Sequence, residues 1–425
     1  MEPNFTTLAT NKNRKDALDI VQAGLNAINT RRIIREAFSL SGNTLTIRGN
    51  VFNLDQFKSL HVIGFGKAVC EAVSEIDAIL GEHIDGGITI STESGTCETV
   101  DIYEGSHPMP SEHNVLISKK IIDLSEKLQK DDLVLVISSG GGSSLLCWPP
   151  EECEDGKRLY AEFLKTGGSI SELNTVRKHI SSIKGGGLAK ALYPAHVVGL
   201  VFCDVPGGVY ADVASGPTYL DTTTIADAQA IISKYSLGSY ELKETPKDSM
   251  YFEKVLNIPM VSNQTALDAM KVRAQELGFE ATIAGNDMYG TPTEVCKHMN
   301  QSARTLLSDK KVVIAGGEPS LHVPEKHGKG GRNQFVALTF AQNITSGQVF
   351  ISIGSDGKDN TLAAGAIVDS ETSMKIKKAG FDLKQTLENF DSYPALEACG
   401  DLIITGSTGA NVSDIMLLLE DKKSC

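Results

Sequence analysis

The chain has no long hydrophobic run and no excess of positive charge. No stretch of about 18 apolar residues occurs and residues 1–16 contain no apolar run, so we predict neither a membrane span nor a secretion signal. With 40 Lys and Arg against 53 Asp and Glu, the formal net charge is −13, and no basic stripe with interleaved aromatic residues is present. These absences argue against a nucleic-acid or membrane partner and favour a cytoplasmic protein.

Paired cysteines are also missing. The cysteines form no CxxC pair and show no Cys/His spacing typical of a metal site. Several lie within apolar runs, where a free cysteine behaves as a small hydrophobic residue. We therefore predict reduced thiols, as expected in the cytoplasm. The cysteines are Cys70, Cys97, Cys147, Cys153, Cys203, Cys296, Cys399 and Cys425.

Glycine, by contrast, is abundant, and its placement helps to predict the fold. The 40 glycines cluster in short loops after apolar, strand-like runs. Strand-like and helix-like segments alternate, which predicts an α/β protein with parallel sheets covered on both faces. The length predicts two or three domains, and we place the boundary in the polar segment 235–257, giving domains at residues 1–250 and 251–425. The patterns also predict one helix over residues 15–38 and a final helix after residue 411.

Loops rich in Gly, Ser and Asp follow the predicted strands. In parallel sheets, ligands bind beyond the carboxyl ends of the strands. One such loop is a weak indication, but several in one chain predict an enzyme with its active site in a cleft between two α/β domains. The loops are residues 64–67, 138–144, 204–218, 316–332, 354–359 and 406–411.

The most informative loop lies within residues 312–334, where an apolar run ends in Gly316-Gly317-Glu318. A basic, glycine-rich passage follows and ends at Arg332, where a helix-like segment begins. Glycine amides can point at a ligand, a helix start adds partial positive charge, and an arginine can bind two oxygens at once. These features predict an anion site with Glu318 beside it. The alternative is an ordinary glycine-rich loop with a solvated arginine.

A second candidate anion site is formed by Gly64, Gly66 and Lys67. The segment completes neither the GxGxxG fingerprint, because Val69 occupies the third small position, nor the P-loop, because no GKS or GKT occurs. A lysine at a helix start faces the unfavourable end of the helix dipole, so a bound anion explains Lys67 better than local stability does. An exposed helix-terminal lysine is the alternative.

The serine- and glycine-rich turn after residue 138 offers hydroxyls and bare amides, which also suit an anion. Its candidate binding residues are Ser139, Gly140, Gly141, Gly142 and Ser143. The turn is not a G-x-S-x-G nucleophile elbow, and a plain glycine turn is the alternative.

Two aspartates and one polar loop complete the candidate site. Asp204 and Asp356 each follow a predicted strand. Asp204 could bind Mg²⁺ or accept a hydroxyl proton, or could cap a helix or a turn. Asp356 could bind a metal ion or a ribose, or could stabilise a turn. Thr408, Gly409 and Asn411 could line a pocket or form a helix cap. His107 could touch substrate, although we expect the histidines to be structural or solvated.

An ordered set of motifs runs along the chain: GFGKA (64–68), HPMP (107–110), SSGGGSSLL (138–146), SELNTVRKHISSIKGGGLA (171–189), CDV and ASGPTYLDTTT (203–224), AGGEPS (315–320), GKGGRNQ (328–334), GSDGKDNTLAAGAIVD (354–369) and TGSTGANVSD (405–414). The set resembles the class II glycerate kinases, the glycerate 2-kinase family, over nearly the whole chain. The resemblance implies an N-terminal Rossmann-like domain, a parallel sheet with helices on both faces, and a C-terminal α/β domain of the MOFRL type.

The resemblance also implies a function, the phosphorylation of D-glycerate at its 2-hydroxyl by ATP with Mg²⁺. It makes Lys67 and Arg332 the catalytic cations, which would hold the transferring phosphoryl group and the substrate carboxylate. Asp204, Glu318 and Asp356 would then serve Mg²⁺ or the attacking hydroxyl. The partners expected are a small hydroxy acid and ATP, and the sequence leaves a homo-oligomer open.

The chain departs from the family pattern in several places, which affects the acceptor more than phosphoryl transfer. The altered positions are Gly187, Gly207, Gly208, Pro319 and Leu362. Two other functions stay open: an NAD(P)H-dependent reductase of hydroxypyruvate or another 2-hydroxy acid, and a non-catalytic protein that binds nucleotides or sugar acids.

Overall fold

The computed structural model describes residues 3–421, so Cys425 lies outside the described part. None of the described helices is long and apolar enough to span a lipid bilayer. The chain divides into two compact units. We call them the Lys67 unit (residues 30–205 and 209–260) and the Arg332 unit (residues 3–29, 206–208 and 261–421).

Helices and strands alternate along most of the chain. The helices are α1 (Phe5–Leu8), α2 (Lys12–Ala27), α3 (Thr30–Ala37), α4 (Val69–Leu80), α5 (Glu112–Ser125), α6 (Gly142–Leu145), α7 (Pro150–Phe163), α8 (Ile170–His179), α9 (Gly187–Leu192), α10 (Ile225–Tyr235), α11 (Asn263–Glu276), α12 (Pro292–Thr305), α13 (Arg332–Ala341), α14 (Thr372–Lys378), α15 (Leu383–Glu388) and α16 (Ser392–Cys399). The strands are β1 (Phe38–Ser41), β2 (Thr44–Ile47), β3 (Asn50–Asn53), β4 (Ser59–Phe65), β5 (Gly86–Ser91), β6 (Val100–Glu104), β7 (Asp132–Ser138), β8 (His196–Phe202), β9 (Val255–Val261), β10 (Glu280–Met288), β11 (Lys310–Gly317), β12 (Gln348–Gly354), β13 (Gly365–Asp369), β14 (Leu402–Ile403) and β15 (Asp414–Asp421).

The Lys67 unit is built on a six-stranded sheet in the order β6-β5-β4-β7-β8-β9. The pairs β5–β6, β4–β5, β4–β7 and β7–β8 are parallel. Every residue of β7 is buried, as expected of a strand covered on both faces. On one face, Ile63 and Val136 share a core with Ile117 of α5 and Leu188 of α9. The parallel sheet is confirmed, and the loops after β4, β7 and β8 share one edge.

The Arg332 unit has a mixed sheet in the order β10-β11-β15-β12-β13-β14. Only β10 and β11 pair in parallel, whereas the other four pairs are antiparallel. The prediction of a purely parallel sheet is therefore wrong for this unit. The predicted final helix is also wrong, because residues 414–421 form β15 in the middle of the sheet. The ends of β10, β11, β12 and β14 meet at the edge where β15 begins.

Residues 3–29 pack with the Arg332 unit, whereas the sequence analysis placed them in the N-terminal domain. Helix α2 lies against α11 and β15. The guanidinium of Arg14 in α2 is 1% exposed and donates to Asp369 (Nε, 2.5 Å) and Asp401 (NH1, 2.8 Å). These buried contacts, which join positions more than 350 residues apart in the chain, attach the N-terminal helix to this unit.

The region between α2 and β4 also differs from the sequence prediction. The single helix predicted for residues 15–38 is two helices, α2 and α3, and α3 leads directly into β1. Strands β1, β2 and β3 form a small antiparallel sheet. The two units separate after residue 260, ten residues beyond the boundary predicted at residue 250.

Candidate active site

The loops after β4 and β7 hold each other in place in the Lys67 unit. Lys67 N donates to Gly140 O at 2.9 Å, and Ala68 N donates to Ser139 Oγ at 3.1 Å. A side chain at Gly66 would collide with Ser139, whose carbonyl oxygen would lie 2.7 Å from a Cβ there. Lys67 is thereby fixed, half-buried, between the end of β4 and the start of α4.

The amides of these loops divide into two groups. Those of Gly66 and Gly142 donate to the carbonyls of Ile90 (3.2 Å) and Ser139 (3.1 Å), so they serve the protein itself. Within residues 3–421, the amides at positions 140–141 donate to no protein acceptor. The amides at positions 140–141 can therefore donate to an oxygen anion.

Two basic side chains, those of His107 and Lys67, lie next to Gly141. A Cβ at Gly141 would lie 3.0 Å from the His107 ring and 3.3 Å from Lys67 Cγ. Partial burial and the charges of Lys67 and Arg177 lower the pKa of His107 from 6.5 to about 4, so its ring is neutral at physiological pH. Burial also lowers the pKa of Arg177 to about 10. The positive charge next to Gly141 at neutral pH therefore comes from Lys67, and the charge of Arg177 acts on the neighbouring His107.

A row of uncharged polar groups continues from this turn. Ser143 Oγ lies 2.9 Å from Ser215 Oγ, and Ser215 Oγ donates to Asn174 Oδ1 at 3.1 Å. Asn174 and Arg177 are three residues apart on α8, so they share one helix face. Asn174, Arg177 and Ser215 are not among the candidate residues predicted from the sequence, although the three-residue spacing of Asn174 and Arg177, typical of one helix face, was a usable signal.

Two other predicted residues lie at the same edge of this sheet. Gly64 is the penultimate residue of β4, and a Cβ there would lie 2.5 Å from Val69 Cγ1 of α4, so this glycine serves packing. Asp204 follows β8 after Cys203 and is half-buried. Its place beyond the carboxyl end of a parallel strand matches the sequence expectation.

In the Arg332 unit, Arg332 is the first residue of α13 and is bound by two carboxylates. Its Nε donates to Asp414 Oδ2 at 2.7 Å, and its NH1 lies 3.4 Å from Glu318 Oε2. Strand register explains the first contact, because Asp414 pairs with both Gly317 and Gly354, at the ends of β11 and β12. Arg332 thus lies at the sheet edge, next to the acidic side chains of Asp414 and Glu318.

The double glycine before Glu318 belongs to strand β11. A side chain at Gly317 would collide with the backbone of Met288 in β10, and one at Gly316 would lie 3.0 Å from Asn263 Nδ2. Both glycines lie in a strand paired on either side, by β10 and β15. Their role in the structure is close packing of the sheet.

The start of α13 is capped by a protein carboxylate. Asp359 is 6% exposed and accepts hydrogen bonds from the amides of Asn333 (3.1 Å) and Gln334 (2.9 Å). The sequence predicts a bound anion at this helix start. In the structure, the anion that those two amides bind is Asp359.

Burial dominates the electrostatics around Arg332. Burial raises the pKa of Asp414 from 3.8 to about 7, even though Arg332 and Asn333 act in the opposite direction. Burial alone would lower the pKa of Arg332, but the charges of Asp414 and Glu318 outweigh it and raise that pKa. Arg332 is therefore a fixed cation at every physiological pH.

The loops after β12 and β14 complete this edge. Asp356 Oδ1 accepts from Lys358 N at 3.0 Å, a turn-stabilising bond, and the Asp356 side chain is half-buried. Thr408 Oγ1 donates to Ser355 O, which joins the loop that carries Gly409 and Asn411 to the loop that carries Asp356. Asn411 is half-buried. Asp356, Thr408, Gly409 and Asn411 therefore lie on two connected loops at the Arg332 edge.

The described residues contain no group of three or more His, Cys, Asp or Glu side chains that could hold a metal ion. Mg²⁺ commonly binds to one or two carboxylates and completes its coordination with water and substrate phosphates. Single carboxylates such as Asp204 and Asp356 fit that mode. They do not fit a metal held by protein ligands alone.

Comparisons with known proteins agree with this architecture. Residues 16–246 match the family described as a domain of unknown function (DUF4147), and residues 311–414 match the MOFRL family. The D-glycerate 2-kinase of Thermotoga maritima is 35% identical over 95% of this chain and 97% of its own. A protein of Agrobacterium vitis named "Putative hydroxypyruvate reductase" is 36% identical over 84% of this chain and 86% of its own.

A solved structure gives the same result. The crystal structure of glycerate kinase from Thermotoga maritima superposes with a TM-score of 0.82 at 34% identity, covering 96% of this chain and 99% of that one. Sequence and fold thus agree over nearly the full length of both proteins. The chain belongs to the glycerate 2-kinase (MOFRL) family and is a small-molecule kinase.

Proposed function

We propose that the protein transfers the γ-phosphoryl group of ATP to the 2-hydroxyl of D-glycerate, giving 2-phosphoglycerate and ADP, with Mg²⁺ as cofactor. The observation that carries this proposal is the turn around Gly141, where Lys67 lies next to the amides at positions 140–141, which donate to no protein acceptor within residues 3–421. Phosphoryl transfer depends mainly on alignment and charge neutralisation, which such a turn can supply.

In this reaction the glycerate 2-oxygen bonds to phosphorus as the bond between phosphorus and the ADP oxygen breaks. We assign Lys67 and the amides at 140–141 to the oxygens of the transferring phosphoryl group. Arg332, oriented by Asp414, would neutralise further charge on the phosphates. Asp204 would accept the proton of the hydroxyl, and Asp204 or Asp356 would bind the Mg²⁺ that the nucleotide brings.

The test measures ADP release with D-glycerate and identifies the product by phosphorus NMR. We expect Lys67→Ala and Arg332→Ala each to lower kcat by about 10²–10³-fold, the cost of losing one preorganised charge-stabilising group. Lys119→Ala is the control, because Lys119 is 53% exposed and pairs only with Asp123 on its own helix. Near-wild-type turnover in both folded variants would refute the assignment.

The reductase named among the relatives can be separated in the same experiment. The glycine fingerprint for a dinucleotide is incomplete at Val69. We therefore expect no oxidation of NADH or NADPH with hydroxypyruvate. Oxidation of either cofactor without ADP release from ATP and D-glycerate would replace the kinase proposal with the reductase.

A further inference from the structure

Arg177 differs from the other buried or half-buried cations near it. Within residues 3–421 its guanidinium makes no hydrogen bond or salt bridge; the Tyr160 ring lies 5.6 Å away, and the charge of the buried Glu152 acts on it without forming an ion pair. Lys178, the next residue, lies 3.2 Å from Asp221, and Lys184 is paired with the buried Glu152. A cation withdrawn from water without an acceptor is unfavourable unless a ligand supplies one. Arg177 therefore marks a place for an anion.

The surroundings of Arg177 indicate which anion. Phosphoryl oxygens already have candidate donors in Lys67 and the amides at 140–141. A guanidinium presents a planar fork that matches a carboxylate with two parallel hydrogen bonds. One turn earlier on the same face, Asn174 begins the row through Ser215 to Ser143, which offers amide and hydroxyl groups. A carboxylate next to hydroxyl groups is the chemistry of a short hydroxy acid.

We propose that Arg177 binds the carboxylate of the acceptor, a short 2-hydroxy acid, and that Asn174, Ser143 and Ser215 contact its hydroxyl groups. This proposal rests on the proposed function and deepens it. Arg177 is then the residue that makes the enzyme select acids over neutral polyols of the same size. The sequence-based assignment of the carboxylate to Lys67 or Arg332 is replaced by this one.

The experiment compares D-glycerate with glyceramide, in which a neutral amide replaces the carboxylate. Both are titrated into the nucleotide-free protein by calorimetry, and the KM values for D-glycerate and ATP are measured separately. Charge-assisted hydrogen bonds predict that Arg177→Ala raises the Kd and KM for D-glycerate about 10- to 100-fold. We expect the KM for ATP and the binding of glyceramide to change little, and Arg177→Lys to recover part of the loss.

Controls separate binding from folding. Arg32→Ala removes a 56% exposed arginine of the same unit and is expected to bind D-glycerate as the wild type does. If Arg177→Ala does not fold, Arg177→Gln and Arg177→Lys are judged by the same ratio of D-glycerate to glyceramide binding. An unchanged ratio, or a rise in the KM for ATP alone, overturns the proposal.

Failure of the proposed function gives a different result. If the wild type binds D-glycerate through Arg177 but transfers no phosphoryl group to it, the kinase assignment fails and the carboxylate site stands. If the wild type phosphorylates D-glycerate and Arg177→Ala keeps full discrimination against glyceramide, the carboxylate site alone fails.

Discussion

Two glycines of the Lys67 unit allow a matched test of the turn around Lys67. Gly141 has φ +82° and Gly238 has φ +83°, so an alanine at either position meets the same backbone strain. Their surroundings differ. A Cβ at Gly238 has no neighbour within 4 Å, whereas one at Gly141 meets His107 Cδ2 at 3.0 Å and Lys67 Cγ at 3.3 Å. Gly238→Ala thus controls for strain, and the difference between the variants reports on the turn.

The expected magnitudes follow from these contacts. The left-handed conformation costs an alanine about 1–2 kcal/mol, so both variants lose about that much free energy of unfolding. Gly141→Ala loses up to about 1 kcal/mol more, because the His107 ring and the Lys67 stem must move by a few tenths of an ångström. A misplacement of about 1 Å can cost about 10²-fold in rate. We therefore expect kcat/KM of Gly141→Ala to fall about 3- to 10-fold.

Urea unfolding gives the stability of each variant, and ADP release with D-glycerate gives kcat/KM. Gly238→Ala is expected to keep wild-type kcat/KM at a measurable cost in stability. If Gly141→Ala is as active as Gly238→Ala, the turn does not position catalytic groups. If both variants lose activity equally, the loss of stability explains the effect, and the contacts of residue 141 with His107 and Lys67 do not explain it.

Two further predictions concern the Arg332 unit. Asp359→Asn places an NH₂ group against one of the amides of Asn333 and Gln334. We therefore expect urea unfolding to show a loss of about 1–3 kcal/mol in the free energy of unfolding. An equally stable variant would contradict the capping role. The raised pKa of Asp414, about 7, means that the folded protein keeps a proton that the unfolded chain releases between about pH 4 and 7, so stability falls as pH rises through that window. Urea unfolding at a series of pH values is expected to show this fall in stability in the wild type and not in Asp414→Asn. Equal pH dependence in both proteins would contradict the prediction.

Strands that consist of one continuous apolar run could be predicted from the sequence. An uninterrupted apolar run such as residues 133–137 favours a fully buried strand, and β7 is confirmed there. The last apolar run, within β15, was wrongly predicted as a helix. Periodicity does not distinguish a buried helix from a buried strand. Here the antiparallel pairing with β11 and β12, which both end at least 60 residues before β15 begins, decides the outcome.

The charge state of the site was less predictable, because it depends on which side chains meet. Arg332 sits in a glycine-rich passage that suggests a ligand-binding cation, yet Asp414, 82 residues later in the chain, forms its 2.7 Å contact. Arg177 sits in an ordinary amphipathic helix and has no such partner among residues 3–421. The sequence supplies the charged groups, but tertiary contacts determine which of them stay available to a ligand.

The unequal contacts of Arg332 suggest how a paired arginine could still bind phosphate. Its bond to Asp414 is short, and that carboxylate is 5% exposed, so this partner orients the guanidinium. Its contact with Glu318 is 3.4 Å long, and the Glu318 side chain is 44% exposed. Exposed ion pairs contribute little to stability, so a phosphate oxygen can replace Glu318 at small cost while Asp414 stays bound. We therefore propose that Asp414 fixes the direction of Arg332 and that Glu318 occupies the position of a phosphate oxygen until an anion binds.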